Sequence, residues 1–196
     1  MERMVLLEVA KELELEETQF GGRRNRGVHN AVAVVYELLA AHSDYYTVIL
    51  SMDVEGGFDR IDMDMMADLQ VACGCRNDYV LWIRHWALQR RVRFRFNGQI
   101  SGEYHLGKGI PQGSPLSPFL FGVYVADIFC PRLRYSPTLR SFVASYVDDG
   151  VIVVTGESVA MVKGRVEETF EDCSRVARGR GMGFSGLKTE WIGFGD

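Results

Sequence analysis

At 196 residues, 47% of them apolar and 24% charged, the chain has the composition of one core-burying globular domain, or of one large portion of a bigger protein; disorder is excluded. Its 22 basic residues against 26 acidic ones give a net charge of −4, which excludes a surface coated in positive charge but not acids gathered at one site with bases along another. No segment has the length of a membrane span or the apolar run of a signal peptide, and Cys73-Gly74-Cys75 lacks the second pair of a zinc site, so an intracellular chain with plain thiols and no membrane partner is expected.

In chain order, residues 2–17 have helix-forming composition with Leu6, Val9 and Leu13 at helical spacing. Gly21-Gly22 breaks the pattern, and the basic residues Arg23, Arg24 and Arg26 follow. A clearer amphipathic helix comes next, its stripe formed by Val28, Ala31, Val32, Val35, Leu38, Leu39 and His42. Residues 45–54 are β-branched and aromatic and predict a buried strand whose end carries Asp53. Helices are predicted over 63–73 and 78–89. The strict alternation Arg91-Val92-Arg93-Phe94-Arg95-Phe96 before Asn97-Gly98 then predicts a hairpin. A Gly/Pro/Ser loop over 107–118 opens an apolar helix reaching about residue 129. Strand-like runs at 141–146 and 150–155 flank Val147-Asp148-Asp149. They are followed by a long helix with Val159, Val162, Val166, Phe170, Cys173 and Val176 inward and Gly179 as its stop, then a short strand over 188–194. The mixture without strict β-α-β alternation predicts an α+β fold, a sheet with helices packed behind it.

The placement of the acids carries the chemistry. Asp148 and Asp149 sit side by side at a predicted hairpin tip, and two carboxylates that both stay ionised there need a compensating cation. Asp53 ends another buried strand. Oxygen-only ligands suit a hard cation such as Mg²⁺, and two such ions about 3.5–4 Å apart can clamp an in-line phosphoryl displacement. Asp-Asp-Gly is also ordinary turn chemistry, so spacing alone leaves both readings open. In the loop Gly107-Lys108-Gly109-Ile110-Pro111-Gln112-Gly113-Ser114-Pro115, glycines let backbone approach a flat ligand, Gln112 offers a donor and an acceptor, and Ser114 or Ser117 can cap the next helix. Arg91, Arg93 and Arg95 share one strand face, able to meet a nucleic-acid backbone or simply to blunt a solvated edge strand. The four histidines fit no metal spacing.

Read together and in order, these segments resemble reverse transcriptases, in particular the non-LTR (LINE-like) retrotransposon group. Ser51-Met52-Asp53-Val54-Glu55-Gly56-Gly57-Phe58-Asp59 is similar to the first palm motif, with Gly57 where the family usually carries alanine. Gly109 to Pro118 resembles the next, Tyr146-Val147-Asp148-Asp149 the tyrosine-x-aspartate-aspartate signature, and Leu187-Lys188-Thr189-Glu190 the lysine segment behind it. Gln19-Phe20-Gly21-Gly22-Arg23-Arg24 resembles a fingers segment.

The resemblance implies a polymerase palm-type antiparallel sheet with helices on one face plus part of the fingers. Residues 1–196 would form the catalytic core, with partial fingers over 1–44 and palm over 45–196, the latter carrying a fingers insertion near 77–107; thumb and accessory domains would be absent. It implies an RNA-directed DNA polymerase using two Mg²⁺ ions, or Mn²⁺, with RNA template, DNA primer, dNTPs and the rest of a longer polyprotein as partners, in nucleus or cytoplasm. Asp53, Asp148 and Asp149 would hold metal with a backbone oxygen near Val54. Phe58 would exclude a ribose 2′-hydroxyl, Gln112 and Gly113 would shape the nucleotide pocket, Lys188 would lie near the triphosphate, and Arg23 or Arg24 would reach phosphates. The alternatives are a truncated inactive remnant or interaction module, against which the retained acids argue, and a group II intron maturase-type enzyme.

Overall fold

A computed structural model describes residues 1–130 and 139–195 and divides the chain into two compact units, Met1–Glu14 with Phe58–Tyr124, and Leu15–Gly57 with Val125–Asp196. Helices and antiparallel sheet make it α+β, as the sequence predicts.

The first unit is mostly helical. It holds α1 (Glu2–Glu12), α4 (Met63–Ala72) and α5 (Asn77–Leu88), around a core that includes Val5, Val9, Ile61, Met66, Ile83, Leu116, Phe121 and Tyr124. Helix α1 stops five residues short of the predicted 17. Glu14, Glu16 and Glu17 would crowd the negative end of the helix dipole, and Leu13 instead turns extended, so that Leu13 and Leu15 are buried at a strand-like period of two. Glu2 at the start of α1 accepts from Trp86 Nε1 at 2.9 Å and from Ser114 Oγ at 2.8 Å. Asp62 caps α4, accepting from the N–H groups of Asp64 and Met65.

After α5 come two short antiparallel pairs. Strand β2 (Arg90–Val92) pairs with β5 (Tyr104–Leu106), and β3 (Arg95–Phe96) pairs with β4 (Gln99–Ile100) across the left-handed Asn97 and Gly98. The predicted continuous strand is therefore a ribbon interrupted at Arg93-Phe94, where Ser101 replaces ladder bonds: its N–H donates to the Phe94 carbonyl and its Oγ accepts from the Phe94 N–H.

The second unit carries the main sheet, in the order β6 (Leu139–Tyr146), β7 (Asp149–Gly156), β1 (Tyr46–Asp53), β8 (Glu190–Phe194), antiparallel throughout. A buried Thr47–Thr155 hydroxyl pair at 3.0 Å fixes register between β1 and β7. Helix α7 (Val159–Gly179) packs on β7 and β1, capped by Ser158 and burying Val162, Thr169, Cys173 and Ala177, while Val159, predicted inward, is exposed. Helix α2 (Val28–Ala41) departs further from expectation. Its apolar stripe is only half-buried at Ala31, Val35, Leu38 and Leu39, and Val28 and Val32 are exposed. Helices α3 (Gly57–Arg60), absent from the sequence reading, and α6 (Ser117–Val125) complete the set; the apolar run after α6 ends in a 3-10 turn, Ala126–Ile128. The four cysteines are free thiols, and burial pushes Cys173 up to about 12 and Cys75 up to about 11.

Gly150, the second residue of β7, shows how tightly this sheet is filled. A Cβ there would lie 2.2 Å from Cε1 of Phe129, a ring only 1% exposed and in tilted contact with Phe184. Gly150→Ala is expected to destabilise the fold by about 1–3 kcal/mol through overpacking. Thermal unfolding should show that Phe129→Leu makes the glycine substitution less damaging than the sum of the two single effects.

Candidate active site

Strand β1 delivers Asp53 as its last residue, and β7 begins with Asp149 as its register partner. Residues directly opposite on antiparallel strands hold their Cβ atoms about 5 Å apart, so the two carboxylates are neighbours by construction of the sheet. The β6–β7 turn places Asp148 beside them, and its carbonyl accepts from the N–H of Val54 at 3.0 Å. The Asp149 carboxyl lies above its ordinary range, first because of desolvation and then because of the negative charge of Asp148 and Asp53; Lys188 pulls the other way.

Lys188 reaches the same spot by a separate route. The Ser185 N–H donates to the Asp53 carbonyl at 2.9 Å and the Lys188 N–H to the Ser185 carbonyl at 3.2 Å, which holds this turn at the end of β1. From there Lys188 Nζ lies 3.1 Å from both carboxylate oxygens of Asp53. The lysine side chain is 66% exposed and the aspartate 17%, so the ion pair is open to displacement from solvent.

The turn that carries the acids is strained. Val147 has φ 59°, the left-handed region that primed hairpin turns normally give to glycine and that a β-branched side chain disfavours. Gly21 packs against it, with the position of a missing Cβ only 2.4 Å from Val147 N. The segment bearing Gly21 adds to the edge of β6: Phe20 N–H donates to the Ser145 carbonyl at 2.8 Å and Ser145 N–H to the Thr18 carbonyl at 3.0 Å. Arg23, expected to meet phosphates, is engaged locally, donating to the carbonyls of Leu15 and Glu16 and pairing with Glu17 at 3.5 Å. Arg24 is exposed.

Phe58, Gln112 and Gly113 belong to the other unit. The Phe58 ring stacks on Phe121 at 5.0 Å, and its carbonyl accepts from the Ile110 N–H at 2.9 Å, tying it to the glycine-rich loop. Gly109 at φ 78° permits that approach, since a Cβ would fall 2.8 Å from the Asp59 Cα. Gln112 and Gly113 are exposed on this loop, which Ser117 Oγ anchors by donating to the Pro111 carbonyl at 2.6 Å. Arg90 went unnoticed in the sequence. Its guanidinium donates to the carbonyls of Ala87, Lys108 and Gly109 at 2.7–2.8 Å and so clasps the loop base to the end of α5. Nothing in the local pattern separates it from Arg91; the only hint is a cation at a helix C-terminus.

Among the described residues, no group of three or more His, Cys, Asp or Glu side chains is arranged to hold a metal by itself. The donor chemistry nevertheless suits a hard cation. Such an ion takes one or two carboxylates and completes its shell with water and substrate phosphates, and the mutual repulsion around Asp149 is what it would relieve.

The main sheet is antiparallel and gathers acids at a hairpin tip and at the end of the adjacent strand. The sequence matches the reverse transcriptase (RNA-dependent DNA polymerase) family over residues 1–193, and the chain belongs to that family. The probable RNA-directed DNA polymerase from transposon X-element of Drosophila melanogaster is 29% identical over 154 residues, covering 76% of this chain and 17% of that protein. The corresponding protein from transposon BS of the same organism is 30% identical over 141 residues, covering 69% and 15%. The 115 kDa protein of the type-1 retrotransposable element R1DM is 28% identical, covering 74% and 13%. These relatives bear out the non-LTR resemblance, and this chain spans less than a fifth of their length. Among solved structures, apo telomerase from Candida tropicalis, truncated from its C-terminal domain, superposes with TM-score 0.66 at 12% identity, covering 100% of this chain and 40% of that one. Telomerase from Candida albicans gives 0.66 at 12%, covering 97% and 34%, so the fold is shared. No helix among the described residues is long and apolar enough to cross a membrane.

Proposed function

We propose that this chain is the catalytic core of an RNA-directed DNA polymerase from a non-LTR retrotransposon, adding a deoxynucleotide to a primer 3′-hydroxyl on an RNA template. The observation that carries it is the register pairing of Asp53 with Asp149, with Asp148 alongside and Lys188 on Asp53. Asp53, Asp148 and Asp149, with a backbone oxygen near Val54, would hold two Mg²⁺ ions, or Mn²⁺. When bound, these supply charge neutralisation for the attacking 3′-oxygen and the departing pyrophosphate.

The remaining work belongs to the protein's own groups. Lys188 neutralises Asp53 until nucleotide arrives, then turns to the triphosphate as a charge stabiliser or as the proton donor to the leaving group. Phe58, buttressed by Phe121, presents a fixed aromatic surface that excludes a 2′-hydroxyl. Gln112 and Gly113 shape the nucleotide pocket from a loop that Arg90 and Ser117 hold in place. Of the two fingers arginines, Arg24 is the better phosphate ligand, because Arg23 spends its donors on local carbonyls. Residues 1–44 serve as partial fingers and 45–196 as palm with a fingers insertion near 77–107. RNA is the template partner, in keeping with the RNA-bound telomerase structures that share the fold.

The test is primer extension on an RNA template by a protein carrying this domain. Template-dependent incorporation of dNTPs supports the reading, and its absence with correctly folded protein and either metal contradicts it.

A further inference from the structure

The arginine-aromatic ribbon of the first unit plays no part in the chemistry above. Residues 91–96 alternate Arg-Val-Arg-Phe-Arg-Phe, and in the ribbon formed by β2–β5 Arg91 lies opposite His105 while Val92 lies opposite Tyr104. Glu103 gathers Arg91 and Arg93 on one side, Phe94 meets Tyr104, the register partner of Val92, and Arg95 and Phe96 follow on β3 beyond the interruption. The aromatic rings are open: Phe96 is 78% exposed, Phe94 61% and Tyr104 54%, with Phe94 and Tyr104 in tilted contact at 5.6 Å. A single carboxylate, Glu103, takes both Arg91 at 2.7 Å and Arg93 at 3.1 Å, one on each oxygen, which leaves the ribbon cationic. Arg95, on β3, is exposed.

Exposed aromatic rings on the same short ribbon as exposed guanidinium groups are complementary to a partner that is both flat and anionic. Single-stranded nucleic acid supplies both, its bases stacking on rings and its phosphates meeting arginines. A duplex hides its base faces, and an acidic peptide offers charge without stacking surface.

We propose that the β3–β4 tip, through Arg95, Phe94 and Phe96, binds single-stranded nucleic acid, with Glu103 acting as an internal anion that tempers Arg91 and Arg93. The inference takes the source of the strand, a template, from the polymerase reading; the recognition chemistry stands on the ribbon itself.

Fluorescence-anisotropy titrations of the purified chain, in EDTA and without nucleotides, test it with labelled oligouridine of about 12 nucleotides and with a duplex of equal length. Phe96→Ala is expected to weaken single-strand binding about 10-fold. Arg95→Ala should weaken it and lower the slope of log affinity against log salt by about 0.7. Glu103→Gln is expected to tighten binding and steepen that slope, a gain that misfolding cannot produce. Affinities unchanged within about twofold in all three variants would overturn the proposal. So would tighter binding to the duplex, or self-association in sedimentation that Phe96→Ala abolishes while oligouridine binding stays intact. Extension failing in every protein while ribbon-dependent binding persists sinks only the polymerase reading. Extension succeeding with binding indifferent to the ribbon sinks only this one.

Discussion

Asp149→Asn is expected to lower the rate of primer extension by at least about 10³-fold while leaving a folded protein, because it removes a carboxylate from the proposed cation site and changes almost no volume. Single-turnover incorporation on an RNA template measures this, and circular dichroism checks the fold. The same substitution carries a stability signature of opposite sign. In metal-free buffer the Asp149 carboxyl lies above its usual range, through desolvation and then the charges of Asp148 and Asp53. A raised carboxylate pKa means that the fold disfavours the ionised form. The contribution of this group to stability is therefore present below the ordinary carboxylate range and is lost as pH rises from that range through the raised folded-state value. Asp149→Asn should unfold at a higher temperature than the wild type at neutral pH without metal, with the difference closing as the medium is acidified below that range. A variant that is both inactive and less stable at neutral pH would point to a structural role for Asp149.

Gly21→Ala is the second large effect, and it acts without touching the acids. The added methyl would stand 2.4 Å from Val147 N and 2.6 Å from Val147 Cγ2, and the nearer contact is backbone that cannot rotate away. Either the Gly21 segment leaves the edge of β6 or the turn carrying Asp148 and Asp149 shifts. Misplacing catalytic groups by about 1 Å costs on the order of 10²-fold in rate, and overpacking about 1–3 kcal/mol in stability. Val147→Gly is expected to behave oppositely in the thermal melt, since left-handed strain at a β-branched residue costs about 1–3 kcal/mol and the added freedom of glycine about 0.5–1 kcal/mol. Unaltered extension and melting in Gly21→Ala would show that the turn is not held from this side.

The contrast between these two sites explains what could be read from sequence. Asp53 and the Asp148-Asp149 tip were visible because each interrupts or ends a β-branched run, and a strand end or a hairpin tip is a local pattern. Asn97-Gly98 announced its turn for the same reason. Gly21 against Val147 and Arg90 across the base of the glycine-rich loop were invisible, because each depends on a contact between segments distant in the chain. The overshoot of α1 has a different cause: Leu6, Val9 and Leu13 fit a helix, but the acids after them oppose its dipole and Leu13–Leu15 bury at a strand period. The strip of Arg91 to Phe96 alternates in sequence without forming one continuous strand, since Ser101 takes over the bonding at Phe94. The half-buried stripe of α2 marks the limit of amphipathic patterns, which identify a helix and its apolar side without saying how deeply that side is covered.

Manganese binding followed by electron paramagnetic resonance, with a non-hydrolysable dNTP analogue present, tests most directly whether the carboxylates at the ends of β1 and β7 act together on a divalent ion. Wild-type protein should bind Mn²⁺ in a site that Mg²⁺ displaces, and Asp53→Asn and Asp149→Asn should each weaken that site severely. Equal Mn²⁺ affinity in the wild type and in both variants would contradict the account.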